Sequence, residues 1–139
     1  MTVTFKSRRK YYIYDSKSGY ISELSKLEYE ISSYIDIPMA PICPTSLRYE
    51  LAKFDSDDIS NAYSKFLDLY NDGKIFSSVS KNDTELCLTY IDTYGESVAA
   101  DAISSFFDQA SRRVVYELSQ DGPRALAEEV AEEKGFKVK

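Results

Sequence analysis

Three short runs rich in aromatic and β-branched residues, at 3–6, 11–15 and 20–24, are followed closely by three amphipathic runs that end near Gly73. This order constrains the chain more than any other feature. Runs separated by only a few turn residues pair as neighbours, so the first three segments predict an antiparallel meander. Ser7, Arg8 and Arg9 supply the first turn, and Ser16-Lys17-Ser18-Gly19 the second, where Gly19 is free to take positive φ.

The helices that follow carry their own punctuation. Ser25 and Glu28 have the spacing of a capping box ahead of apolar positions at Leu27, Ile31, Tyr34 and Ile35. Pro38, Pro41 and Pro44 stop that helix and stiffen the segment after it. A second helix, capped by Thr45 or Ser46, places Leu47, Leu51 and Phe54 on one face. The third is the best defined: Ser56 is its expected cap, Asp57 and Asp58 suit the positive end of the dipole, and Ile59, Ala62, Phe66 and Leu69 form one stripe. A second stripe of Tyr63, Leu67 and Tyr70 widens the apolar surface beyond what one core face needs.

The second part reads differently. A polar linker at 79–83 leads to a strand over 84–91, broken by Gly95. The spacing of Ala99, Ile103, Phe106, Ala110, Val114 and Leu118 predicts a long helix over 97–119, and Asp121-Gly122-Pro123 leads into a last helix over 123–134. The expected architecture is α+β: a winged-helix-like domain at 1–78, the linker, and a strand plus two-helix segment at 84–139.

Charge and composition narrow the function. With 23 acidic against 17 basic residues and a formal net charge of -6, the chain is poorly suited to nucleic acid, whose non-specific affinity comes from neutralising phosphates. The cluster Lys6, Arg8, Arg9 and Lys10 reads as a solvated turn in preference to an anion site. The chain has no histidine, and Cys43 and Cys87 are its only cysteines, so no nucleophilic triad and no ordinary zinc site can be assembled. The acidic group Glu128, Glu129, Glu132 and Glu133 falls on a wet helix face. The reading is of a non-enzyme without cofactor or metal, cytoplasmic, with reduced thiols and no apolar run long enough to span a bilayer. Twelve tyrosines supply apolar area with a hydrogen-bonding tip, which suits strand packing and a binding surface alike.

The run Tyr12-Ile13-Tyr14-Asp15-Ser16-Lys17-Ser18-Gly19, leading to Leu24-Ser25-Lys26-Leu27-Glu28-Tyr29-Glu30-Ile31, resembles the PqqD-like peptide-recognition domain. It is most similar to the copy at the N-terminus of radical S-adenosylmethionine maturases of ribosomally made peptides. Residues 55–62 and Gly73-Lys74-Ile75-Phe76-Ser77 resemble that domain's last helix and exit, so the likeness covers about the first 78 residues. It implies that the leader segment of a precursor peptide adds as a strand beside Tyr20, Ile21, Ser22, Glu23 and Leu24 and packs on Tyr63, Leu67 and Tyr70. Lys65 and Arg9 would then choose among acidic peptide side chains, and the maturation enzyme, a radical S-adenosylmethionine protein in the related systems, would be a separate partner. A competing reading of Ile21 and Leu24 is that they fill the core.

The chain departs from the maturases after residue 84, where Cys87 stands without the further cysteines of a cluster motif, so no iron-sulfur cluster is expected. Residues 84–139 then cap the domain, form an oligomerisation helix pair through 97–134, or belong to a truncated or rearranged maturase. Covering the binding edge is one way they would regulate it. Three functions follow: a leader-peptide binder, a winged-helix transcription regulator, and a module for protein interaction or oligomerisation. A regulator's recognition helix should be basic, whereas the third helix and its end hold Asp57, Asp58, Asp68 and Asp72 against Lys65.

Overall fold

The hairpin that opens the chain closes on two arginines. Strands β1 (Thr2–Ser7) and β2 (Lys10–Asp15) pair antiparallel with Ser7 opposite Lys10, leaving Arg8 and Arg9 as a two-residue turn. Both take positive φ, 49° and 67°, the backbone that matches the twist of the flanking strands. Arg8 is not solvated alone: its guanidinium donates to Ser97 Oγ at 2.8 Å, tying the turn to the second part of the molecule. Strand β3 (Ile21–Leu24) completes a three-stranded antiparallel sheet in the order β1-β2-β3. Its turn is built on Asp15, whose carboxylate accepts from the Lys17 and Ser18 amides and from the Thr2 hydroxyl. Gly19, at φ 78°, lies so close to Cys87 that an added Cβ would stand 2.7 Å from its sulfur.

A computed structural model describes residues 1–76, 85–110, 115–119 and 121–139. Around the sheet it places helices α1 (Lys26–Ser32), α2 (Thr45–Glu50), α3 (Ser56–Asn71), α4 (Glu96–Gln109) and α5 (Arg124–Glu133), with short strands β4 (Glu85–Leu86) and β5 (Glu117–Leu118) paired parallel. The expected linker at 79–83 and Val114 lie outside the described residues.

The sheet is covered on both faces. Ile13 and Leu24 face α1, α2 and α3, where Ile31, Leu47, Leu51, Ile59, Phe66 and Ile75 close one core. Val3, Phe5, Tyr12, Tyr14 and Ile21 face the opposite way, into a core completed by Leu86, Leu88, Ile91, α4, Tyr116, Leu118, α5 and Phe136. Tyr12, Ile13 and Tyr14 are consecutive and all buried, because β2 is the central strand of a sheet with no wet side.

Local signals account for the helix starts. Ser25 and Glu28 form both halves of the capping box ahead of α1. Asp55 caps α3 by accepting from the Asp57 amide at 2.8 Å, one residue before the expected Ser56. Pro44 precedes α2, and neither Thr45 nor Ser46 caps it.

Two expectations for the second part require correction. Among the described residues the strand expected over 84–91 is Glu85–Leu86 alone, because the Cys87 amide donates to the Ser16 carbonyl at 2.8 Å and the chain then folds through successive tight turns, Ile91 to Leu88, Thr93 to Tyr90 and Gly95 to Asp92. The helix over 97–119 stops at Gln109, and Glu117–Leu118 is strand. The driving force is aromatic: Tyr116 returns to pack edge-on against Phe106 at 5.4 Å and Phe107 at 5.7 Å, and Phe136 lies 4.7 Å from Phe107. A straight helix would carry Tyr116 away from both phenylalanines.

One hydrogen bond joins the sheet to this second layer from inside. The Tyr14 hydroxyl donates to the Cys87 carbonyl. Burial, then the neighbouring Cys87 and Asp15, push the phenol well above its ordinary range, so it remains a donor.

Candidate functional site

Antiparallel pairing decides which backbone groups of β3 remain available. Its residues alternate between those that exchange hydrogen bonds with β2 and those whose N–H and C=O point outward. The Asp15 amide donates to the Tyr20 carbonyl at 2.9 Å, which puts Tyr20, and by alternation Ser22 and Leu24, on the β2 side. Ile21 and Glu23 therefore direct their backbone groups away from the sheet. Independent geometry agrees: the Glu23 amide is 3.4 Å from the Tyr94 hydroxyl, which accepts from it.

The side chains of this edge divide between the two cores. Leu24 is buried beneath the N-terminal helices and Ile21 against the second layer, so both do fill cores. Tyr20 and Ser22 are half-buried, and Glu23 is exposed with its carboxylate 3.7 Å from Lys10 Nζ. What this edge can offer a ligand is chiefly backbone, together with the clefts beside it.

Helix α3 packs on α1 and α2, and its flanks come near the two ends of β3. The approach to β3 touches the exit of α3, where Ser18 Oγ donates to the Lys74 carbonyl at 2.6 Å. The other end of β3 opens on a cleft lined by Ser25, Lys26, Ala62 and Lys65. The expected wall residues are thus distributed along one helix and play different parts. Tyr70 lines a cleft with Lys17, Gly73 and Phe76 near the β3 entrance, and Leu67 is half-buried. Tyr63 is buried, its hydroxyl donating to the Ala40 carbonyl at 2.7 Å, and holds the proline-punctuated connector. Lys65 reaches across to α1 and pairs with Glu28 at 2.7 Å. Burial alone would raise the Glu28 carboxyl, but hydrogen bonds from Lys65 and from Ser25 hold it below the ordinary range. Arg9 is exposed in the first hairpin turn.

Four residues that the sequence did not single out also meet this edge. Tyr20, Ile21, Lys74, Tyr90 and Thr93 line a cleft of about 350 Å³ at the β3 entrance, and Tyr94 stands at Glu23. Lys74 is the cation of that cleft. The signal for Tyr90 and Tyr94 was a pair of tyrosines four apart beside Asp92 and Gly95, a turn composition that a strand reading of 84–91 obscures.

Cys43 and Cys87 are free thiols, and burial pushes the Cys43 thiol up, away from the reactive thiolate. Among the described residues, no three His, Cys, Asp or Glu side chains approach closely enough to hold a metal ion, and no helix is long and apolar enough to cross a membrane. No protein-family model matches the sequence, and no curated protein is significantly similar to it.

Proposed function

We propose that the protein binds an extended peptide as a fourth strand on the outer edge of β3, that this peptide is the leader of a ribosomally made precursor, and that the complex is presented to a separate maturation enzyme. The observation that carries the reading is the outward backbone of Ile21 and Glu23, set between the exit of α3 and the turn that bears Tyr90 and Tyr94. The resemblance to the PqqD-like domain supplies the class of peptide, and a radical S-adenosylmethionine maturase the class of enzyme.

Magnitudes say what else the peptide must bring. Two residues offering an N–H and a C=O each make about four hydrogen bonds, a net gain of ~4 kcal/mol, which is smaller than or comparable to the cost of immobilising a peptide. Backbone pairing alone gives at best roughly millimolar binding. Side chains filling the flanking clefts must supply the rest; Lys74 favours an acidic one in the first cleft, whereas in the second Lys26 and Lys65 are matched by Glu28 and Asp58.

The charge of α3 argues against duplex DNA as the ligand. Asp57 and Asp58 occupy its first turn, Asp68 lies further along, and its one cation, Lys65, is engaged by Glu28.

The test is fluorescence anisotropy with labelled leader peptides from short reading frames neighbouring the gene, with a random duplex DNA in parallel. Glu23→Pro removes an outward donor without touching the β2 ladder or a buried side chain, so the variant should fold and lose about tenfold or more in peptide affinity. Equal binding by wild type and variant rules out strand addition at this edge. Salt-sensitive DNA binding with no peptide binding promotes the regulator instead.

A further inference from the structure

Two tyrosine hydroxyls meet backbone groups across the sheet, and they do so in opposite ways. Tyr14 is fully buried, donates to the Cys87 carbonyl, and stitches two layers together. Tyr94 is 40% exposed, and its hydroxyl accepts from the Glu23 amide at 3.4 Å, long against the usual 2.9–3.0 Å for such bonds. Its ring is anchored separately, edge-on to Tyr12 with centroids 5.3 Å apart. Because the oxygen is fixed to the ring, leaving the amide means a tilt of the half-exposed ring on that edge contact.

The position of that tip matters. An outward strand amide is the donor that the carbonyl of an added strand would use, and the phenol oxygen already accepts from it. Beside it, Tyr90 (58% exposed) and Thr93 border the cleft at Ile21 and Lys74. One turn of the second layer thus forms a lip along the edge and occupies one of its outward donors.

We infer that Tyr94 is a side-chain placeholder for the incoming strand: it satisfies the Glu23 amide in the free protein and is displaced from it by a peptide carbonyl, so that every peptide binds against an internal competitor. The inference rests on the strand-addition reading above and adds a regulatory contact to the same edge. It also answers the liability of an exposed strand edge, since occupying a donor discourages pairing with the wrong chain while leaving the site open to a ligand that contributes more than one contact.

Tyr94→Phe isolates the effect, because it keeps the ring on Tyr12 and removes only the oxygen. In the free protein, amide hydrogen exchange read by NMR should speed up several-fold at Glu23 and stay unchanged at Ile21, whose amide Tyr94 does not touch. The same labelled leader peptides should bind Tyr94→Phe about three- to tenfold more tightly than wild type, the range of one net hydrogen bond. Tyr49→Phe, an exposed tyrosine on α2 that lines neither the edge nor its clefts, should bind as wild type does. Unchanged exchange at Glu23 overturns the inference whatever the peptide does. Faster exchange with equal or weaker peptide binding overturns the competition, while leaving strand addition standing if Glu23→Pro still weakens it. Failure of every peptide to bind both wild type and Tyr94→Phe removes the strand-addition reading, and this inference with it.

Discussion

The two faces of the sheet are covered by different means. On one, α1, α2 and α3 follow directly in the chain and lay regular amphipathic stripes on Ile13 and Leu24. On the other, a tight turn, a two-residue parallel strand pair and an aromatic cluster are assembled from distant stretches over Val3, Phe5, Tyr12, Tyr14 and Ile21. Local helices can nucleate and cap themselves; the second layer acquires its shape only when Phe106, Phe107, Tyr116 and Phe136 meet. Regular structure is thus not a measure of how integral a layer is. Both share β2, and neither face can be bared without exposing large apolar side chains.

The sharpest way to break this comparison is to weaken each face separately. Phe66→Ala empties the helical core and Phe107→Ala the aromatic one; both side chains are essentially inaccessible, so each should cost about 3–5 kcal/mol. Because both cores rest on one sheet, either variant should unfold in urea as a single transition at lower midpoint, by circular dichroism and by tyrosine fluorescence alike. Two separated transitions in Phe107→Ala would mean that the faces are independent units.

A smaller effect probes the joint between them. Tyr14→Phe deletes the hydroxyl and leaves the Cys87 carbonyl without that donor, a loss of about 1–2 kcal/mol in chemical denaturation with little change in slope. A neutral result would place the connection between layers in packing and in the bonds from Arg8 to Ser97 and from the Cys87 amide to Ser16.

The smallest concerns one face only. Glu28 has a depressed pKa in the folded protein, so its pairing with Lys65 stabilises above the unfolded carboxylate value of about 4.3 and is lost as pH falls through the lower folded value. Lys65 is half exposed, which keeps the contribution at neutral pH below about 1 kcal/mol. Lys65→Met should therefore shrink the stability difference between about pH 6 and pH 3. An identical acid limb in wild type and variant would show that the pair does not set it.

Sequence legibility followed the same division. Strands β1, β2 and β3, the capping box at Ser25 and Glu28, and the stripe of α3 were readable because each is determined by residues close in the chain. Tyr12-Ile13-Tyr14 already departed from the alternation of a half-wet strand, and that departure was the trace of the second layer. The start of α4 was readable but its end at Gln109 was not, since the helical spacing of Phe106, Ala110 and Leu118 fits a longer helix equally well and the packing of Tyr116 on Phe106 and Phe107 decides against it. At the site, the β3 edge could be placed from sequence, but its occupant could not: Tyr94 meets Glu23 across 71 residues of chain. Tyr63 and Lys65 looked available as wall residues because a stripe does not say which neighbour, connector or helix, claims it first.

The sharing of β2 also sets a schedule for biosynthesis. Tyr12, Tyr14 and Ile21 are made early, while Tyr116 and Leu118, which help close the core over them, come roughly a hundred residues later, or about 5–20 s at ordinary rates of translation. Through that interval the nascent chain has its helical face ready to close and an aromatic face with nothing to meet, and it is then, before Tyr116 and Leu118 have been made, that a chaperone has most to protect.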